Sequence, residues 1–351
     1  MSLPRALAAV LATGLLASCS VGGTTDNGSG SSKQIIVATH DSWAMSKSVI
    51  RQFEKKSGYT VKIEPNGDVG QLTNKLVLTK GAPIADMAYG IDNTFASRAV
   101  DAGVLAPYTP SGLPRSAARF ALAGGAGARD LTPVDYGDVC VNVDDAWFAK
   151  AHQAPPRTLD DLTKPAYKNL FVTEGASTSS PGLAFLLSTI AKYGPGWQGY
   201  WSKLMANGTK IDSGWDEAWN VDYTAGGGNG TRPIVLSYSS SPPDTIPKGG
   251  SKPTTSSLPD TCFRQVEYAG VLKGAQNAQG AKAFIRFMLE HSFQQALPSN
   301  MYVYPVDTSV PLPADWSRYA AVSPHPFTLP AHEIATHRAA WLRSWADVTS
   351  G

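Results

Sequence analysis

The stretch QIIVATHDSWAMSKSVIRQFEKKSGYTVKIE, residues 34–64, decides the fold class. Gln34 to Thr39 is a short apolar run of strand character, and from Met45 to Lys56 the apolar positions Met45, Val49, Ile50 and Phe53 recur at helical spacing. Tyr59 to Glu64 then alternates as a strand. The rhythm continues: Val69, Leu72, Leu76 and Val77 mark a second amphipathic helix, Gly81 and Pro83 stop it, and Ala85-Asp86-Met87-Ala88-Tyr89 is a third strand. Strands alternating with helices of this length predict an α/β fold, a parallel sheet with helices on both faces. Ligands of such sheets bind at the carboxyl ends of the strands. Here those ends read Thr39-His40-Asp41-Ser42-Trp43, Asn66-Gly67-Asp68 and Gly90-Ile91-Asp92-Asn93, all polar.

Downstream, Val134-Asp135-Tyr136-Gly137 leads into a strand around Cys140, and a second α/β region begins. It holds Thr178-Ser179-Ser180-Pro181-Gly182 opening an apolar helix to Ile190, then Gly214-Trp215-Asp216-Glu217-Ala218-Trp219, then a strand from Pro233 to Tyr238. Two loops, Ala225 to Arg232 and Pro247 to Asp260, are rich in Gly, Pro, Ser and Thr and read as surface excursions. Beyond a strand from Cys262 to Glu267, Ala281 to His291 is a helix with Phe284, Phe287 and Met288 on one stripe, and Pro330 to Asp347 reads as a terminal amphipathic helix.

Upstream of residue 34 the chain changes character. Arg5 precedes an apolar run, Ala6 to Ala17, too short for a comfortable membrane span, which takes about 20 apolar residues. The run closes on Leu16-Ala17-Ser18-Cys19, which resembles the lipobox of bacterial lipoproteins. That resemblance implies a signal peptide over residues 1–18, a lipid on Cys19 and a membrane-anchored protein. Residues 20–33 have one aliphatic side chain, Val21, and no aromatic one, so 19–33 is expected to be a flexible tether. The alternative is a conventional signal peptide with an ordinary cysteine.

About 318 residues remain for the folded body, enough for two domains. A formal charge of +2 and the lack of any basic run with interleaved aromatics argue against nucleic acid as a partner. Apart from Cys19 there are two cysteines, Cys140 and Cys262, both in segments read as strands. In an exported protein such a pair suggests a disulfide, with two buried free thiols as the alternative.

The motifs His40-Asp41-Ser42-Trp43, Gly90 to Asn93, Val134 to Gly137, Thr178 to Gly182, Gly214 to Trp219, Leu236-Ser237-Tyr238-Ser239-Ser240-Ser241-Pro242 and Tyr302-Val303-Tyr304-Pro305-Val306 stand in an order that resembles the thiamine-binding proteins of bacterial ABC importers. The resemblance runs from Ile35 to the C-terminal helix. It implies a two-lobed periplasmic-binding-protein-like fold of type II, each lobe a mixed, mostly parallel sheet flanked by helices. Residues 34–133 and 268–351 would form one lobe and 134–267 the other, with crossings near Val134 and near Val266 to Gly270. It also implies a monomeric, exported protein on the outer face of the cytoplasmic membrane, with thiamine or its phosphates as ligand, ABC permease subunits as partners and no cofactor or metal. Three departures stand out. His40 occupies a place where the family commonly has Tyr, the segment through Met45 and Ser46 is shortened, and Tyr302 stands where a Trp is usual.

Thiamine's chemistry agrees with the residues. Its permanent cation favours aromatic faces, each contributing about 0.5 to 2 kcal/mol. By the resemblance Trp215, Tyr238 and Tyr302 would supply them, with Trp43 and Trp219 compensating for the altered set. Asp41 would accept from the aminopyrimidine or balance charge, its plain alternative being a helix N-cap. Ser179 and Ser180, at a helix start, would suit a phosphate.

Enzymatic readings find little support. His332 and His337 lie five residues apart, about 140° around a helix rather than on one metal-binding face. The folded body has no Gly-x-Ser-x-Gly elbow and no Gly-x-x-x-x-Gly-Lys-Ser/Thr phosphate loop. No adjacent tyrosine pair of the kind typical of iron-binding relatives occurs. Polyamine-binding relatives combine acids and aromatics much as Asp41, Trp215 and Tyr238 do, so a polyamine is the competing cargo. A third class, an envelope scaffold, would need no ligand cleft.

Overall fold

The computed structural model describes residues 33–122 and 127–350. The expected export signal, Cys19 and nearly all of the expected tether lie outside the described residues. Eleven strands are present among those described: β1 (Gln34–Thr39), β2 (Thr60–Pro65), β3 (Met87–Asp92), β4 (Leu105–Ala106), β5 (Thr132–Asp144), β6 (Phe171–Glu174), β7 (Lys210–Asp212), β8 (Ile234–Tyr238), β9 (Thr255–Ser257), β10 (Phe263–Leu272) and β11 (Tyr304–Pro305). They form one mixed sheet in the order β2-β1-β3-β10-β5-β8-β6-β7, with β4 on β10 and β9 and β11 on β5.

The order explains the two-lobed architecture. β1 pairs in parallel with β2 and β3, and β6 pairs in parallel with β7 and β8, so each half of the sheet is mostly parallel and carries its helices as crossovers. The halves are joined by β5 and β10, antiparallel to each other, to β8 and to β3 respectively. β10 is irregular at this junction: its register shifts between Glu267 and Tyr268 against β5 and between Tyr268 and Ala269 against β3. Bulges of this kind bend a strand and re-aim its side chains.

Apolar clusters cover both faces of the first half, one built on Val37, Tyr89 and Phe284 and the other on Leu72, Ile91 and Tyr268. The second half has its main core around Val141, Leu183, Phe185 and Trp201. The terminal helix Ala331–Thr349 packs there, with Trp345 edge-on to Trp201 at 5.6 Å, and also meets the short helix Ala96–Asp101. Among the described residues no helix is long and apolar enough to cross a membrane.

Cys140 on β5 and Cys262, just before β10, are joined as a disulfide, because Val139 and Phe263 face each other in register and the next pair along is the two cysteines. Helix bounds shift from those expected. The first helix is Lys47–Ser57, and Met45 before it is buried as an anchor. The expected helix from Ala281 to His291 is in fact Ala278–Met288, followed after a break at Glu290 by a separate helix, His291–Met301. Glu290 is extended and ion-paired to Lys56 at 2.7 Å, and Gln294 behind it donates to the carbonyls of both Met288 and Val134.

Candidate functional site

Between the two halves of the sheet lies a cleft of about 940 Å³, partly open to solvent. The strand ends singled out in the sequence meet there. His40 and Ser42 follow β1, Asp68 precedes the helix Val69–Leu78, and Glu267 rises from the bulge in β10. From the other half come Pro181, Trp215, Trp219, Tyr238 and Asp244, and Met301 and Tyr302 close one end. The lining includes the carboxylates of Asp68, Asp244 and Glu267 and no lysine or arginine.

Trp215 is the wall of this cleft. It begins a helical turn, Trp215–Glu217, that widens into a π-helical turn at Ala218–Asp222. The indoles of Trp215 and Trp219 stack at 5.6 Å and 12°, and Tyr223 backs Trp219 at 5.0 Å. Trp215 Nε1 donates to Ser237 Oγ at 2.8 Å, and its backbone N–H donates to Asp68 Oδ2 at 3.0 Å. The glycine loop that reads as a surface excursion holds the turn in place: a Cβ on Gly226 would lie 1.6 Å from the Trp219 carbonyl oxygen, and one on Gly230 would lie 2.3 Å from that of Asp222.

Asp68 connects the two halves. Its carboxylate caps its own helix by accepting from Val69 N–H, while Asp68 N–H donates to Gln71 Oε1. The same carboxylate also reaches the Trp215 N–H and, at 3.5 Å, the Ser180 N–H at the start of the helix Ser180–Tyr193. Burial raises its pKa against the lowering effect of these donors. Ser42 Oγ makes a second bridge, donating to Asp216 Oδ1 at 3.0 Å.

The cleft floor is acidic and buried. Glu267 and Asp135 face each other directly across β10 and β5. The Tyr89 hydroxyl lies 2.6 Å from Asp135 Oδ2 and 3.2 Å from Glu267 Oε2. His40 Nε2 sits 3.5 Å from Glu267 Oε1, and its ring lies over Gly90, where a Cβ would come within 2.3 Å of it. Burial lifts the Asp135 carboxyl to about 7 and, with Asp135 alongside, lifts Glu267 well above its usual value. Burial also drops the His40 imidazole to about 4, so it is neutral near pH 7.

Of the residues expected from sequence, Trp215, Trp219, Tyr238 and Tyr302 line the cleft. Asp41, Trp43, Ser179 and Ser180 are not in its lining. Asp41 does not cap the first helix, whose N-cap is Ser46; it accepts from Gly67 N–H at 2.8 Å and ties two strand ends together. Trp43 packs edge-on to Tyr89 at 5.0 Å and beside Phe293. Ser179 and Ser180 are fully buried, and Ser180 Oγ already donates to Asp92 Oδ2 at 2.7 Å. The sequence reading assigned no role to Asp68, Glu267, Asp244 or Tyr89. Asp68 stands in one of the polar strand ends; Glu267 lies inside a strand pattern with nothing to mark the bulge that turns it into the cleft.

Residues 48–324 match the bacterial extracellular solute-binding protein family. A thiamine-binding periplasmic protein of Brucella melitensis is 29% identical over 325 residues, spanning 90% of this chain and 92% of its own. Among solved structures, a periplasmic thiamin binding protein superposes with a TM-score of 0.78 at 27% identity, covering 94% of this chain and 100% of its own. A putative spermidine/putrescine ABC transporter protein of Listeria monocytogenes, 16% identical, shares the fold at a TM-score of 0.65 over 90% of this chain and 99% of its own.

Proposed function

The chain belongs to the bacterial extracellular solute-binding proteins, which bind solutes rather than transform them, and from that premise we propose that it captures thiamine and delivers it to the permease of an ABC importer. The observation that carries this is the cleft lining: stacked Trp215 and Trp219, Tyr238 and Tyr302 surround a space facing three carboxylates and no basic side chain. A cation excluded from water gains most where aromatic faces and a counter-charge coincide. The relatives described as thiamine-binding support the choice of cation. A polyamine is the second reading, favoured by the same acidic lining and by the shared fold.

Free thiamine is the form we propose. The helix start that would receive a phosphate already faces the Asp68 carboxylate, and a second anion there would be repelled. We further propose that Cys19 carries a lipid that holds a monomeric protein at the outer face of the cytoplasmic membrane, and that capture needs no cofactor. Residues 34–133 with 268–351 form one lobe and 134–267 the other in this reading, with the terminal helix reaching across to Trp201. Calorimetric titration with thiamine, thiamine monophosphate and spermidine tests the cargo. Thiamine should bind most tightly; binding of spermidine alone would overturn the assignment in favour of the second reading.

A further inference from the structure

The cleft floor holds more acid than a positioning role requires. Asp135 and Glu267 are cross-strand partners on the two strands that join the lobes, Asp135 is fully buried, and Glu267 is 5% exposed. Like charges placed directly opposite on a sheet repel, and two carboxyls forced together in a dry site hold one proton between them. The surroundings offer little other compensation. Tyr89 has a single hydroxyl proton to share between both carboxyls, which otherwise face each other, and His40 Nε2 stands 3.5 Å from Glu267 Oε1. The remaining groups around the pair are Asp92 at the end of β3 and the Tyr238 hydroxyl, while Asp41 and Asp216 lie toward His40. No lysine or arginine is among these neighbours. The pair is nonetheless in reach of ligand through Glu267, which lines the cleft beside His40, whereas Asp135 is not in the lining.

We propose that Asp135 and Glu267 form a proton-exchanging cation subsite: the empty cleft keeps one proton on the pair, and a cationic nitrogen ligand seated against Glu267 takes that proton's place. The step is a simple exchange. The carboxyl O–H bond breaks, its electron pair stays on the carboxylate, the proton leaves to solvent, and the ligand cation becomes the counter-charge without covalent change. The lifted carboxyls and the neutral His40 agree with this arrangement, because the imidazole then supplies no competing positive charge. The subsite deepens the thiamine reading and rests on it only for the identity of the cation.

Infrared difference spectroscopy at pH 7 tests the proton without any ligand. Unliganded wild type should show a protonated carboxyl stretch that changes in frequency or intensity in both Glu267→Gln and Asp135→Asn, because each variant leaves one buried carboxyl without its carboxyl partner; the two report separately should one fold poorly. Thiamine should abolish the band, and its affinity should rise up to tenfold per pH unit while the pair is protonated, a dependence absent from Glu267→Gln. No carboxyl band in the unliganded protein overturns the proposal whatever the cargo. A band that survives both thiamine and spermidine at millimolar concentration overturns the exchange. Loss of the band with spermidine, with no heat from thiamine, upholds the subsite and sinks only the thiamine assignment.

Discussion

Trp215 is held by a ring stack, an indole hydrogen bond and a backbone hydrogen bond, yet one face remains in the cleft. Trp215→Ala should therefore raise the dissociation constant for thiamine about tenfold to thirtyfold. It should cost less stability than the about 3 to 5 kcal/mol expected for a fully buried aromatic; paired titration and thermal melts would show both. The floor residues predict a pH signature. Asp135 titrates at about 7 when folded against an ordinary 3.8, so its contribution to stability is complete below pH 3.8 and is lost as pH rises through 7. His40, at about 4 against 6.5, acts oppositely: its contribution is whole above pH 6.5 and is lost as pH falls toward 4. The two slopes oppose each other between those limits, and above pH 6.5 the carboxyl acts without the histidine. The melting temperature of wild type should fall from pH 6.5 toward about 8, and that of Asp135→Asn should be flatter. The cleft aromatics Trp215, Tyr238 and Tyr302 were legible through the family resemblance of the motifs that carry them, since a tryptophan after a glycine could by itself equally plug the core. The acids were not: Asp41 and Asp68 both sit at polar strand ends, and only the folded chain shows that the first ties two loops while the second crosses the cleft.

At the scale of elements, the alternating strands and helices of residues 34–92 followed from periodicity, as did the apolar helix after Ser180. The π-helical turn did not. Its widening depends on the loop of residues 225–230, whose glycines lie against the turn's own carbonyls, a contact that no local pattern encodes. The break at Glu290 was hidden for a similar reason: it depends on Lys56 and on Gln294 reaching β5, both distant in sequence or space. The loop makes a sharp prediction. In Gly226→Ala the new methyl would overlap the Trp219 carbonyl, so the turn must shift and carry Trp215 with it. Overpacking of this kind costs about 1 to 3 kcal/mol, and thiamine affinity should fall together with stability. Unchanged calorimetry and melting in this variant would show that the loop does not support the aromatic wall.

The molecule as a whole is two half-sheets joined through two long strands, an arrangement whose expected motion is closure of the halves around ligand, with ligand shifting that equilibrium. The present arrangement is bridged by Asp68, with its bonds to Trp215 and Ser180, and by Ser42 to Asp216. Asp68 serves two elements at once, so Asp68→Ala would remove a helix cap, at a cost of about 1 kcal/mol, as well as the bridge. Asp68→Ser separates the two roles. Serine is a good N-cap, but its shorter side chain cannot keep the 3.0 Å bond to the Trp215 N–H without moving the lobes. In that variant the unliganded protein should populate the open state more than wild type does, with little change in melting temperature. Small-angle scattering should then show a larger radius of gyration without ligand and a larger contraction on adding thiamine. Affinity should fall as well, because more of the binding free energy would go to closing the cleft once the Asp68 bonds no longer help to close it. Equal radii for the two unliganded proteins would mean that the Asp68 bridge does not bias closure, and that the bond to Trp215 forms as a consequence of the closed state rather than helping to hold it.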